Sequence, residues 1–101
     1  MSSGIIQLLT KAFEEKAADL HISFGNPATF RIDGKLLQLD DRIYSSSEQK
    51  QMVNEILPES KREEFESKGE TDFNYALQDM CRFRVNAFQQ RGEVSIAARL
   101  V

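Results

Sequence analysis

Arg82, Arg84, Arg91 and Arg99 stand within the last twenty residues, RFRVNAFQQRGEVSIAARLV, with Glu93 as the single acid and no lysine. That stretch carries +3, whereas the 101-residue chain carries −3, so residues 1–81 carry −6. A guanidinium stays charged and presents a planar fork of N–H donors that fits phosphate or carboxylate. An arginine cluster at one end of an acidic chain therefore points to an anion.

The spacing places these arginines. Phe83, Val85 and Ala87 alternate with Arg82, Arg84 and Asn86, the period of a half-buried strand. Val94, Ile96, Ala98 and Leu100 alternate with Ser95, Ala97 and Arg99 in the same way. Gln89-Gln90-Arg91-Gly92 lies between them as a hairpin loop. If the turn is Arg91-Gly92, Arg99 faces Arg84; if all four residues form the loop, Arg99 faces Arg82. A three-residue loop would put Arg99 on the opposite face and turn Ile96 and Leu100 away from Phe83 and Val85. A single apolar face thus gathers two or three arginines on the other side. Like charges directly opposite on a sheet repel by a few tenths of a kcal/mol, and a bound anion or an acidic neighbour reverses that sign. The plain alternative is a solvated sheet face with screened charges.

Other chemistry is sparse. The chain contains no GxxxxGK[ST] phosphate loop, and no serine or cysteine nucleophile stands at a readable spacing from the single histidine, His21. His21 shares the polar side of its strand with Asp19 and reads as an exposed or hydrogen-bonded structural residue. Glu70 and Asp72 lie on one strand face, where they read as solvent-side charges rather than an acid–base pair. Cys81 is the only cysteine, so an internal disulfide is excluded; it reads as a packing residue. One histidine and one cysteine at this separation argue against a metal site. With a sequence pI near 5.1, the chain lacks the broad basic surface of a general nucleic-acid binder. It has no apolar run near eighteen residues and no signal-peptide pattern. At 41 % hydrophobic and 29 % charged, its composition is that of one ordinary soluble domain.

The elements that must position the arginines follow from periodicity and turn chemistry. Residues 3–17 predict a helix, with Ile5, Leu8, Leu9, Ala12, Phe13 and Lys16 on one face and Ser2 or Ser3 as its N-cap. Asp19 to Phe24 predicts a strand with Leu20, Ile22 and Phe24 on one side. Thr29–Ile32 and Lys35–Leu39 flank Asp33-Gly34, a two-residue hairpin signal. Asp40 to Ser46 reads as a polar loop. A second helix runs from about Ser47 to Leu57 and stops at Pro58. Ser60 to Glu63 matches a capping box opening a third helix that ends at Gly69. Thr71–Leu77 predicts a strand, and Gln78-Asp79-Met80 a turn into the arginine hairpin. The order α-β-β-β-α-α-β-β-β with short links predicts an α+β domain with a mostly antiparallel sheet of about six strands and about three helices.

Several segments also resemble one family. AADLHISFGNPATFRIDGKL (17–36), ETDFNYAL (70–77) and RFRVNAFQQRGEVSIAARLV (82–101) are similar, in collinear order, to the N-terminal domain of the pilus-retraction, twitching-motility (PilT-family) ATPases. These belong to the type II/type IV secretion ATPase superfamily. The motifs are A-[SA]-D-L-H, R-[IV]-D-G, E-x-D-F and R-F-R-V-N-x-F-x-Q-R-G; the family usually has serine where this chain has Ala18. The resemblance implies a PAS-like fold and a cytoplasmic homo-hexamer peripheral to the inner membrane. It implies a motor domain following residue 101 that binds ATP and Mg²⁺, and an inner-membrane pilus base protein as partner. It also implies that Arg84 and Arg99 reach nucleotide phosphates, with Arg82 and Arg91 as secondary candidates. The residues and the overall charge by themselves point to no catalytic residue or metal ligand within these 101 residues and no nucleic-acid partner. Asp19 and His21 match the D-L-H element without an assigned role. A pilus-assembly or type II secretion ATPase, or a free-standing PAS-like ligand-binding module, are the alternatives.

Overall fold

The sheet forms because all of its strands but one, at an edge, have one apolar face buried among the described residues. A computed structural model describes residues 4–101; the N-cap expected at Ser2 or Ser3 lies outside the described residues. The elements are α1 (Gly4–Glu14), β1 (Asp19–Ile22), β2 (Pro27–Ile32), β3 (Lys35–Ile43), α2 (Ser46–Ile56), α3 (Glu59–Lys68), β4 (Glu70–Leu77), β5 (Cys81–Gln90) and β6 (Glu93–Leu100). The six strands form one sheet in the order β3-β2-β1-β6-β5-β4, and every neighbouring pair is antiparallel. This is the expected α+β, PAS-like arrangement. The first and last strands meet at the centre of the sheet, so the β1–β6 ladder joins residues 80 positions apart.

One face of the sheet carries the helices. Leu20, Phe30, Phe73, Phe83, Val85 and Ile96 point into a single core, where Ile5, Leu9, Met52, Val53 and Phe65 of the helices meet them. Burying each such side chain contributes about 1.5–3 kcal/mol. The alternate residues of the same strands form the opposite face. Tight turns fix which residues those are. Asp33 and Gly34 have φ 52° and 79°, and Arg91 and Gly92 have φ 56° and 82°, the paired left-handed conformations of a two-residue hairpin turn.

Four local expectations need correction. The first helix ends at Glu14 rather than residue 17. Lys16 turns to φ 58°, and the Lys16 and Ala17 amides donate back to the Phe13 and Ala12 carbonyls, which closes the helix and leaves Lys16 exposed. The first strand ends at Ile22. Beyond it the Asn26 side chain donates to Ser23 Oγ and the Phe24 carbonyl, and this turn swings Phe24 out of the core to 53 % exposure. Residues 40–43 are not loop but the end of β3. An edge strand has water on one side, so it tolerates a polar run without alternation. The capping box is at the second helix, not the third. The Ser45 hydroxyl accepts from the Glu48 amide, and the Glu48 carboxylate accepts from the Ser45 amide. The third helix starts at Glu59, two residues before the start that a Ser60 cap would give. Pro58, fixed at φ −63°, takes the N-cap position without a side-chain bond.

Candidate functional site

The face without helices is read by following the ladders across it. The hairpin turn is Arg91-Gly92, so Gln90 pairs with Glu93 and Arg84 lies directly opposite Arg99. Arg84 also pairs with Asn74 on the other side. Arg99 pairs with Asp19, and Asp19 with Arg31. One row therefore crosses the open face as Asn74, Arg84, Arg99, Asp19, Arg31. Three guanidiniums and one carboxylate leave it two net positive charges. The next row is Asp72, Asn86, Ala97, His21, Thr29. The two rows floor a shallow groove of about 230 Å³ whose lining includes Arg84, Arg99, Asp19, His21, Asp72 and Asn86.

Side-chain contacts divide the arginines into held and unheld. Arg99 donates from Nε to Asp19 Oδ1 at 3.1 Å. Arg31 Nε lies 3.2 Å from Asp19 Oδ2. The carboxylate is thus flanked by a guanidinium on each oxygen and is only 12 % exposed, while the Arg99 side chain remains 75 % exposed. The Arg99 bond uses only Nε, so its two terminal amino groups are open to a further acceptor. Among the described residues Arg84 has no ion pair. Two cross-strand neighbours of like charge, one of them unpaired, form the kind of forked donor set that a multiply charged oxyanion satisfies.

The other sequence-predicted candidates separate in space. Arg82 lies on the same open face, two residues from Arg84, opposite Ala76, and its carbonyl accepts from the Val101 amide. Arg91 stands at the hairpin tip, roughly 20 Å from Arg84 by strand rise, outside the groove. Glu70 and Asp72 both accept from Asn86 Nδ2, at 3.2 and 3.1 Å, which makes them partners of an amide. His21 is exposed on the open face. Cys81 is half-buried, and burial pushes its thiol up from its ordinary value, so it stays protonated and packs. Asp19 and Arg31 are the residues whose part spacing alone did not reveal. The signal was present in the D-L-H strand, but it acquires meaning only when the first strand is known to lie beside the last.

Comparison with known proteins gives this face a context. No protein-family model matches the sequence. The chain is 34 % identical over 86 residues to the type IV pilus retraction ATPase PilT of Pseudomonas aeruginosa, covering 85 % of this chain and 25 % of that protein. A crystal structure of the pilus retraction motor PilT with bound ADP superimposes with TM-score 0.84 and 33 % identity, covering 98 % of this chain and 29 % of that one. The Legionella pneumophila ATPase DotB superimposes with TM-score 0.77 and 26 % identity, covering 94 % of this chain and 27 % of that one. The chain therefore spans about a quarter of the length of these relatives. With matching sequence and fold over nearly its whole length, it belongs to the PilT family of secretion ATPases as their N-terminal domain.

Proposed function

We propose that this domain serves a hexameric type IV pilus retraction ATPase by placing Arg84 and Arg99 on the phosphates of ATP bound to a motor domain of the same or a neighbouring subunit. The observation that carries the proposal is the direct pairing of Arg84 with Arg99 on an uncovered sheet face, with no ion pair for Arg84 among the described residues. The donor set fits phosphate: two forks of N–H groups at one place, with Asn86 beside them. The higher identity to the pilus retraction ATPase than to DotB supports the retraction branch over other secretion ATPases.

In this reading the motor domain supplies the phosphate loop, the Mg²⁺ ligands and the attacking water, and this domain supplies charge. Guanidiniums aimed at a phosphoryl group stabilise the charge that develops there during transfer. The same attraction draws the domain toward the motor while nucleotide is bound and relaxes after phosphate leaves. A rigid-body swing of this kind would transmit work to the pilus base at the inner membrane, with the ATPase docked on its cytoplasmic side. The domain is suited to move as a unit, since its sheet and three helices share one core. No helix among the described residues is long and apolar enough to cross a membrane. Arg82, on the same face, is the nearer secondary phosphate contact, and Arg91, at the hairpin tip outside the groove, the more remote one.

The test is ATP turnover by the ATPase carrying this domain. Arg84→Ala and Arg99→Ala should each lower turnover by roughly 10-fold or more, below the 10³–10⁵ of a free-standing arginine finger because domain closure shares the task. Wild-type turnover in both variants would rule the proposal out.

A further inference from the structure

The Asp19 carboxylate lies between two arginines, yet only one of them belongs to the proposed phosphate pair. Asp19 Oδ1 receives Arg99 Nε at 3.1 Å, and Asp19 Oδ2 lies 3.2 Å from Arg31 Nε. The β1–β6 ladder fixes this contact, because Asp19 and Arg99 are direct cross-strand partners in the centre of the sheet. An arginine that is 75 % exposed would otherwise sample many rotamers, and the like charge of Arg84 directly opposite would push it away. Binding through Nε holds the guanidinium plane while leaving both terminal amino groups available.

We infer that Asp19 is a positioning residue for the phosphate-binding pair: it locks Arg99 beside Arg84 before the anion arrives, and Arg31 holds the carboxylate in place from the other side. This rests on the proposed reading of Arg84 and Arg99. It assigns work to three residues that would otherwise be a surface ion-pair cluster: Asp19 orients, Arg31 braces, and Arg99 is presented. The ordering entropy of Arg99 is then met during folding rather than at each encounter with nucleotide. A mere counter-charge would behave in the opposite way. Removing its negative charge would leave the site more positive and strengthen the hold on phosphate.

The experiment is a double-mutant cycle in the ATPase carrying this domain, with kcat and KM for ATP measured in parallel. Asp19→Asn should lower kcat by about tenfold, between the small worth of an exposed ion pair and the large cost of a misplaced group. KM should change little. In the Arg99→Ala background Asp19→Asn should have no further effect, since its action passes through Arg99. Asp19→Glu should recover part of the loss, and Arg31→Gln should show a smaller loss of the same kind. Unfolding of each variant of the 101-residue chain, together with the ¹⁵Nε–¹Hε resonance of Arg99, separates misfolding from misplacement. A folded Asp19→Asn variant should show that resonance released from its bonded position. An unchanged or raised kcat in Asp19→Asn, or a loss that persists undiminished without Arg99, would overturn the inference while leaving the phosphate reading intact. Full turnover in Arg84→Ala and Arg99→Ala would remove both.

Discussion

Two arginines in one row of the sheet should respond to the same substitution with opposite signs. Arg84 has like charge opposite it and no ion pair among the described residues; Arg31 lies 3.2 Å from Asp19. Directly opposite residues on neighbouring strands have Cβ atoms about 4.5–5.5 Å apart, and ~6 Å is taken as the working separation of the Arg84 and Arg99 charges. Two unit charges at that distance repel by about 0.7 kcal/mol in water. Screening with a Debye length of about 8 Å at physiological salt reduces this to about 0.3 kcal/mol. Arg84→Gln, which keeps part of the aliphatic stem, should therefore stabilise the 101-residue chain by about that amount, rising toward about 0.6 kcal/mol at low salt and vanishing near 1 M. Arg31→Gln should destabilise it by up to about 1 kcal/mol, the upper end for a partly exposed pair. Urea unfolding in low and high salt measures both. With a slope of about 1–1.5 kcal/mol per molar urea, the Arg84→Gln midpoint should move up by about 0.2–0.3 M at physiological salt. A lower midpoint for Arg84→Gln, or a gain that persists unchanged in high salt, would refute the claim that Arg84 is held against repulsion.

Two further outcomes follow from local chemistry. Gln49 of α2 is fully buried, and neither side-chain polar atom has a hydrogen-bond partner among the described residues. Gln49→Leu, close to it in volume, should stabilise the chain by about 1–3 kcal/mol with an unchanged urea slope; a fall in the midpoint would contradict it. The Ser45 backbone amide, and then Arg42, hold the Glu48 carboxyl below the usual range. A depressed carboxylate contributes stability that is present above the ordinary glutamate pKa of about 4.3 and is lost as pH falls through the folded value. Melting curves of the wild-type chain between about pH 5 and 2 should therefore fall more steeply than those of Glu48→Gln; parallel curves would show that the capping box carries no such linkage.

How much of this site the sequence disclosed depends on the range of the interaction involved. The arginine hairpin was legible because Arg91-Gly92 is short and the apolar alternation on both arms leaves two workable registers, one of which the structure selects. The Asp33-Gly34 hairpin was legible for the same reason. Alternation puts Phe24 with Leu20 and Ile22 because it continues in sequence past the point where Asn26 bends the chain. Residues 40–43 read as loop in the sequence because an exposed edge strand needs no apolar face. S-x-x-E occurs at both helices, and the pattern at Ser60 alone cannot show that Pro58 already opens the third. Strand order was beyond local reasoning: nothing near Asp19 announces that its neighbour is Arg99. That single long-range ladder converts two unrelated charged positions into one functional row.

The most direct measurement is the location of the Arg84 and Arg99 guanidiniums in the ATPase carrying this domain when loaded with a non-hydrolysable ATP analogue and Mg²⁺. The account predicts both within charge-assisted hydrogen-bond distance of phosphate oxygens, about 2.7–2.9 Å, with Arg99 still bonded through Nε to Asp19. Phosphates contacted by the motor domain alone, with Arg84 and Arg99 facing solvent, would contradict it.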